Sequence, residues 1–158
     1  MNSKPADGLG TQVRRLLELL DGDVEAVYRE MLPGYLPRYT PVMKALAGGE
    51  SQSIKTIAAQ SSISHSAASQ TIARMSEEGL VTTAPDSDRR NRLVSLTPAG
   101  KRLLPRLREV WRGADRAAAS LDRALPHPLS RLLGAAIEEL EGRPFRSRME
   151  HAMKDKKS

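Results

Sequence analysis

Hydrophobic positions recur every three or four residues along most of the chain, which is the spacing of amphipathic α-helices. Residues 11–32 give the clearest example, with Thr11 as a candidate N-cap and Pro33-Gly34 as the terminator. A shorter stretch begins at Thr40, a second candidate N-cap. Together the spacing predicts helices over residues 11–32, 40–47, 97–125 and 129–142, and a last one in the tail from residue 144. The chain is therefore expected to be mainly α-helical.

Two short helices joined by a tight turn are predicted in the serine-rich middle of the chain. Ser53 can cap the first helix, and Ser64 can cap the second. Ala68, Ile72 and Met75 fall on one side of the second helix, so this side is expected to face the core. Two short helices in this arrangement form a helix-turn-helix.

The hydrophobic period changes to two after the second short helix. Residues 80–83 are rich in β-branched side chains, and residues 92–96 alternate between polar and apolar positions. The turn-rich segment between them, residues 84–91, carries several charged side chains. These features predict a small β-hairpin with a long basic tip directly after the helix-turn-helix, which is the arrangement of a winged helix.

The charge distribution indicates a polyanionic partner. The formal net charge is +6, and residues 50–108 and 143–158 each carry a net charge of +4, whereas the remaining segments are neutral or acidic. One Trp, three Tyr and one Phe are too few for the stacking platforms that single-stranded nucleic acids need. A solvated basic surface without a partner is the alternative.

The composition gives no support to several other function classes. With no cysteine, the chain can form no disulfide, zinc–thiolate site or thiol switch. The three histidines are not spaced as metal ligands, and no glycine-rich phosphate loop or catalytic constellation is found. No apolar run approaches the roughly 18 residues of a membrane span, and the N-terminus lacks an apolar signal core. We therefore expect a soluble cytoplasmic protein that is not an enzyme and holds no cofactor or metal.

The outer face of the second short helix is predicted to contact double-stranded DNA. Small side chains opposite the apolar row allow a helix to lie deep in a major groove, and the amide of Gln70 can pair with adenine. Free backbone N–H groups at the start of the helix suit a phosphate. The candidate DNA contacts on this helix are Ser64, His65, Ser66, Ser69, Gln70 and Arg74. The alternative is an exposed polar face, which the basic hairpin after it disfavours.

The hairpin tip supplies the other candidate DNA contacts, Asp88, Arg89, Arg90 and Arg92. Guanidinium groups on a narrow ribbon can enter a minor groove and follow its negative potential. Asp88 can hold Arg90 in a bidentate ion pair and thereby fix the loop. An ordinary charged turn is the alternative.

The run TIAAQSSISHSAASQTIARMSEEGLV, followed by DRRNRLVSLTPAG, resembles the MarR family of bacterial transcriptional regulators over about residues 36–104. The order of Asp-x-Arg, an apolar strand and Leu-Thr-x-x-Gly carries the resemblance. It implies a homodimer that binds a pseudo-palindromic operator, with repression as the expected mode. It also implies an N-terminal dimerisation helix (1–36), a winged helix-turn-helix lobe (37–97) and C-terminal dimerisation helices (98–158).

Many members of that family bind small aromatic acids beside the dimer helices and then release DNA. The resemblance implies an effector pocket here, with Tyr28, Tyr35, Arg38, Tyr39, Met43 and Trp111 as its candidate residues. An arginine beside several rings suits an aromatic carboxylate. The alternative, which we prefer, is that these rings only pack in the core or at an interface.

Two functions besides a sequence-specific regulator stay open. A non-specific architectural DNA-binding protein would bind all duplexes with similar affinity. A helical protein-interaction module without DNA binding would show no salt-dependent affinity for duplexes.

Overall fold

The computed structural model describes residues 8–85 and 92–155. The α-helices of this part of the chain are α1 (Leu9–Met31), α2 (Thr40–Leu46), α3 (Ile54–Gln60), α4 (His65–Glu77), α5 (Pro98–Ala124), α6 (Leu129–Gly142) and α7 (Phe145–Asp155). The strands are β1 (Gln52–Ser53), β2 (Val81–Pro85) and β3 (Arg92–Leu96), and a short 3-10 helix, Pro37–Tyr39, precedes α2. The expected fold, mainly α-helical with a small β-hairpin, is confirmed.

The chain forms two compact units, residues 1–111 and 112–158. The first unit holds a hydrophobic core, whose largest fully buried side chains are Tyr39, Met43, Leu46, Ile57, Met75, Leu107, Val42, Val81 and Val94. In the second unit no side chain of residues 112–154 is buried. Among the helices of residues 8–85 and 92–155, none combines the length and hydropathy that a membrane crossing needs.

The helix-turn-helix forms where its serine caps were predicted. The Ser53 hydroxyl accepts a hydrogen bond from Thr56 N at 3.1 Å, and the Ser64 hydroxyl accepts one from Ala67 N at 3.1 Å. Each bond satisfies one of the backbone donors that a helix N-terminus leaves unpaired. In the turn between the helices, Ser62 adopts a left-handed backbone conformation with φ of 52°.

The hairpin belongs to a three-stranded antiparallel sheet with the strand order β1-β3-β2. Val81 pairs with Leu96 and Pro85 pairs with Arg92, so β2 extends two residues beyond the strand predicted at 80–83. On its other edge β3 pairs with β1, which the hydrophobic pattern did not predict. Because β1 directly precedes α3, its pairing with β3 attaches the wing to the start of α3.

Thr97 joins the end of the helix-turn-helix to the long helix α5. Its backbone N–H donates to Leu80 O at 3.1 Å, and its hydroxyl donates to Gly79 O at 2.6 Å. The same hydroxyl oxygen accepts from Gly100 N at 3.1 Å, which makes Thr97 the predicted cap of α5. This junction fixes the direction in which α5 leaves the sheet.

Two predicted N-caps are wrong. The helix α1 begins at Leu9 with Gly8 in the cap position, so Thr11 lies inside its first turn. In α2 the cap position belongs to Tyr39, and the hydroxyl of Thr40 donates instead to the Tyr28 hydroxyl at 2.9 Å. A tertiary contact therefore uses the Thr40 side chain that local sequence assigned to the helix end.

Two arginines of α5 bind the ends of other helices. Arg106 donates to Met31 O at 3.1 Å, and Arg108 donates to Ala47 O at 2.8 Å. Cations near helix C-termini pair with carbonyl groups that lack intrahelical partners and with the negative end of the helix dipole. Part of the positive charge of residues 50–108 is thus already used inside the fold.

Candidate nucleic-acid interface

The helix α4 buries one side and presents small polar side chains on the other. Ala68, Ile72 and Met75 are buried as predicted. Ser66 and Gln70 are exposed on the opposite side. Because most of these exposed side chains are small, the backbone of α4 can approach another surface closely.

The first turn of α4 is open to solvent. Ser64, His65 and Ser66 are all exposed, and the first intrahelical bond is donated by Ala68 N to Ser64 O at 3.0 Å. The N–H groups of His65 and Ser66 precede that bond, so they cannot pair within the helix. Such N–H groups, together with the positive end of the helix dipole, suit an anionic group.

Arg74 differs from the other predicted contacts of α4 because it is held by carboxylates of its own helix. Its Nε donates to Glu78 Oε1 at 2.9 Å, and its Nη1 lies 3.6 Å from Glu77 Oε2. The hydrogen bond to Glu78 raises the pKa of the Arg74 guanidinium above its ordinary value. Ser69, another predicted contact, is half-buried.

Glu78 was not selected from the sequence, and Tyr39, selected only for the effector pocket, contacts it. The Tyr39 hydroxyl donates to Glu78 Oε1 at 2.8 Å, the oxygen that also binds Arg74. The spacing of four residues between Arg74 and Glu78 is a sequence signal for this pair. Tyr39 is 39 residues away from Glu78, and no local pattern connects them.

The wing is described only up to its strands. Asp88, Arg89 and Arg90 lie outside the described residues. Arg92 is exposed, and its Nη2 donates to Thr83 Oγ1 at 2.8 Å across the hairpin. The side chain of Arg92 is therefore held over the β2 strand.

Four aromatic side chains form an aromatic cluster, Tyr28, Tyr35, Tyr39 and Trp111, in which the three tyrosines are buried. The Tyr28 and Tyr35 rings stack with centroids 5.4 Å apart, and Tyr35 meets Tyr39 edge to face at 5.9 Å. Arg38 is exposed and its guanidinium lies 5.7 Å from the Tyr39 centroid, while Met43 is fully buried. The structure thus brings the six predicted pocket residues together in one region of the first unit.

The hydroxyl groups of Tyr28 and Tyr35 are both hydrogen-bonded to Thr40. Thr40 Oγ1 and Trp111 Nε1 both donate to the Tyr28 hydroxyl, at 2.9 and 3.1 Å. Because the single hydroxyl hydrogen of Thr40 goes to Tyr28, the Tyr35 hydroxyl at 3.2 Å must donate to Thr40. Burial raises the pKa of Tyr35 well above its ordinary value. The cluster is therefore a packed part of the core whose hydroxyl groups are hydrogen-bonded.

A cleft of about 300 Å³ opens beside the cluster in the first unit. Tyr28 and Tyr35 contribute to its wall, and Arg29 and Glu25 add charged groups that the sequence reasoning did not select. Its lining residues are Glu25, Tyr28, Arg29, Gly34, Tyr35, Leu36 and Pro37. A guanidinium beside tyrosine rings can bind an aromatic carboxylate.

Apolar side chains are exposed along several helices. On α1 they recur at steps of four and three residues, at Val13, Leu17, Leu20, Val24 and Val27. In the second unit the exposed apolar side chains of α6 and α7 are Leu132, Leu133, Ile137, Leu140, Phe145, Met149 and Met153. Contiguous exposed apolar surface of this kind marks an interaction surface.

The comparison with known families agrees with this geometry. Residues 34–91 match the model of the MarR family. The resemblance to the MarR family is confirmed. Among curated proteins no significant relative is found.

Solved structures with the MarR winged-helix fold are similar over most of the chain. The transcriptional regulator MosR of Mycobacterium tuberculosis, solved in complex with DNA, is 18% identical with a TM-score of 0.67, covering 86% of this chain and 97% of its own. The PcaV regulator of Streptomyces coelicolor, in complex with its natural ligand, is 19% identical with a TM-score of 0.66, covering 90% and 98%. BpsR of Bordetella bronchiseptica, whose DNA binding is regulated by 6-hydroxynicotinic acid, is 20% identical with a TM-score of 0.62, covering 89% and 96%. The chain has the fold of MarR-family transcriptional regulators.

Proposed function

We propose that this protein is a sequence-specific transcriptional regulator of the cytoplasm that binds double-stranded DNA as a homodimer and represses transcription. The observation that carries the proposal is α4, a capped helix with an apolar inner side and an exposed outer side of small polar residues. A helix of this kind enters a major groove and contacts base edges. No enzymatic activity is part of the proposal.

The homodimer is supported by apolar surface that one chain leaves exposed. The stripe on α1 and the apolar sides of α6 and α7 would be covered by the same surfaces of a second copy. We therefore assign residues 1–36 and 98–158 to dimerisation and residues 37–97 to DNA binding. A two-fold dimer places two copies of α4 against a pseudo-palindromic operator.

Within the DNA-binding lobe, we assign base contacts to Ser66, Ser69 and Gln70. The backbone N–H groups of Ser64, His65 and Ser66 are assigned to a phosphate, because they lie at the exposed start of α4. The wing residues Arg89, Arg90 and Arg92 and the helix residue Arg74 are assigned to the DNA backbone and the minor groove. Asp88 is assigned to the ion pair that holds Arg90 in the loop.

Duplex binding by the purified full chain tests the proposed function. Fragments selected from the source genome should bind at least ~10³-fold more tightly than random duplexes of equal length. Affinity should fall steeply with salt, because each neutralised phosphate adds about 0.9 to the logarithmic slope. Equal affinity for all duplexes would instead identify an architectural DNA-binding protein. The absence of salt-dependent binding would identify an interaction module and overturn the proposal.

Replacement of Gln70 by alanine should weaken operator binding by about 1–3 kcal/mol, with the loss concentrated at one base position. The reason is that an exposed amide on the outer side of α4 can pair with one adenine. Binding to a set of single-base operator variants measures this effect. A uniform loss over all operator variants would make Gln70 a backbone contact.

We further propose that a small aromatic carboxylic acid binds beside the aromatic cluster and relieves repression. The cleft walled by Tyr28, Arg29 and Tyr35 supports this, as does the aromatic acid that regulates BpsR. An arginine can pair with the carboxylate while the tyrosine rings contact the aromatic ring. Arg38 and Arg29 are the two arginines available for this pairing.

A thermal-shift titration with 6-hydroxynicotinic acid and with 4-hydroxyphenylacetate tests the effector proposal. At a ligand concentration of about 100 Kd, binding adds about 2.7 kcal/mol to the stability of the folded chain and raises Tm. We expect either Arg38→Ala or Arg29→Ala to abolish the increase. Loss of the increase in Arg38→Ala would locate the carboxylate at the arginine predicted from sequence. Loss of the increase in Arg29→Ala would locate it in the cleft. No increase with either acid would contradict an aromatic effector of this size.

A further inference from the structure

Glu78, the residue that follows α4, contacts the core through one carboxylate oxygen. Tyr39 is fully buried, and its hydroxyl donates to Glu78 Oε1 at 2.8 Å. Arg74 Nε donates to the same oxygen at 2.9 Å. The Arg74 side chain is 56% exposed, whereas that of Glu78 is 32% exposed. The Nε edge of the guanidinium is therefore fixed, while much of the side chain faces solvent.

An external anion can still reach the guanidinium, because the Arg74 side chain is 56% exposed. Its Nη1 lies 3.6 Å from the Glu77 carboxylate, which is longer than a hydrogen bond. A guanidinium offers five N–H donors in a rigid planar fork, so fixing one edge orients the donors of the other edge. A side chain that is ordered before binding loses less conformational entropy when it contacts a phosphate.

We infer that Glu78 is a positioning residue for DNA binding, which, anchored by the buried Tyr39 hydroxyl, orients the Arg74 guanidinium toward a phosphate. This inference rests on the proposed function, because it requires α4 to lie in the major groove. It assigns to Tyr39 a role in addition to core packing. The aromatic cluster is thereby connected to the helix that contacts DNA, since Tyr39 packs on Tyr35.

Tyr39→Phe is the informative variant because it removes one hydroxyl and changes no charge. Removing Glu78 would also remove a negative charge close to the DNA, and that change alone would raise affinity. In Tyr39→Phe we expect the affinity for the selected duplex to fall roughly fivefold to tenfold. This is less than the roughly 13-fold or more of one whole hydrogen bond to a charged group, because Arg74 keeps its own bond to Glu78. The logarithmic salt slope should decrease by less than the ~0.9 of one complete phosphate contact.

Tyr35→Phe is the matched control. It removes a hydroxyl from a buried ring of the same cluster, but this hydroxyl bonds to Thr40 and not to Glu78. We expect Tyr35→Phe to bind DNA with the affinity and salt slope of the unmodified chain, although both Phe variants lose some stability in urea unfolding. In an Arg74→Ala background, Tyr39→Phe should cause no further loss of affinity.

The Nε–H resonance of Arg74 in NMR spectra of the DNA-free protein gives an independent measurement. We expect slow hydrogen exchange of this group in the unmodified chain and in Tyr35→Phe, and fast exchange in Tyr39→Phe. If the unmodified chain binds duplexes but Tyr39→Phe and Tyr35→Phe bind equally, the positioning role is wrong and the proposed function survives. If Tyr39→Phe still lowers DNA affinity in the Arg74→Ala background, the positioning role is also wrong. If the unmodified chain binds no duplex, both the proposed function and this inference are overturned.

Discussion

Replacement of Gly100 by alanine is expected to destabilise the folded chain by about 3 kcal/mol or more. A Cβ atom at this position would lie 2.2 Å from the carbonyl oxygen of Leu80 and 3.2 Å from Leu96 Cδ2. The Leu80 carbonyl cannot move away easily, because it accepts the backbone N–H of Thr97 at 3.1 Å. The added methyl group must therefore separate the first turn of α5 from the end of the helix-turn-helix.

Urea unfolding followed by circular dichroism measures this loss, with Gly113→Ala as the matched control. Gly113 lies in the same helix, and a Cβ there meets nothing within 4 Å. Since alanine has a higher helix propensity than glycine, Gly113→Ala should leave stability unchanged or raise it by up to about 1 kcal/mol. Equal stability of Gly100→Ala and the unmodified chain would show that the junction at Thr97 adapts to a larger side chain.

The helix-turn-helix could be predicted from sequence because its signals are local. Ser53 and Ser64 each bond to a backbone N–H three residues later, so the cap and its partner lie within one turn. The buried row of Ala68, Ile72 and Met75 follows directly from the helical period. The direction of the exposed side of α4 could therefore be predicted without knowledge of any other element.

Other features could not be predicted, because they depend on residues distant in sequence. The strand β1 has only two residues, too few for a period, and it forms because β3 offers an unpaired edge. Thr40 has the composition of an N-cap, but its hydroxyl is used by Tyr28, twelve residues earlier. In both cases a tertiary partner determines which of several local conformations the segment adopts.

The electrostatics of the candidate interface were only partly predictable. The positive net charge of residues 50–108 indicates a polyanionic partner, but Arg106 and Arg108 bind helix carbonyls within the fold. Arg74 shares the oxygen of Glu78 with Tyr39, so its charge is partly balanced by its own helix. Counting charges along a sequence cannot separate arginines and lysines that bond within the fold from those that bind a partner, because both roles need the same residue types.

Replacement of Ile137 by glutamate is expected to abolish the proposed homodimer and, with it, the proposed tight binding to an operator. Ile137 is 56% exposed in the single chain, so the charge itself costs little in an isolated copy. In a two-fold interface the substitution occurs in both copies and places two unpaired carboxylates in apolar surroundings. A penalty of several kcal/mol raises the dissociation constant of the dimer more than about 100-fold. Sedimentation equilibrium should then give a mass close to the 17.3 kDa of one chain.

Glu138→Lys is the control for this change, because it alters charge at an exposed position about 100° further around α6. We expect this variant to keep the mass of two chains and the affinity of the unmodified protein for its operator. Dimer loss in Ile137→Glu should also remove the advantage of two half-sites, so that one half-site and a full operator bind with similar affinity. If Ile137→Glu retains the mass of two chains, α6 does not cover a second copy. If the unmodified chain already has the mass of one chain, two-fold recognition of a pseudo-palindrome is excluded, since each lobe would then bind DNA alone.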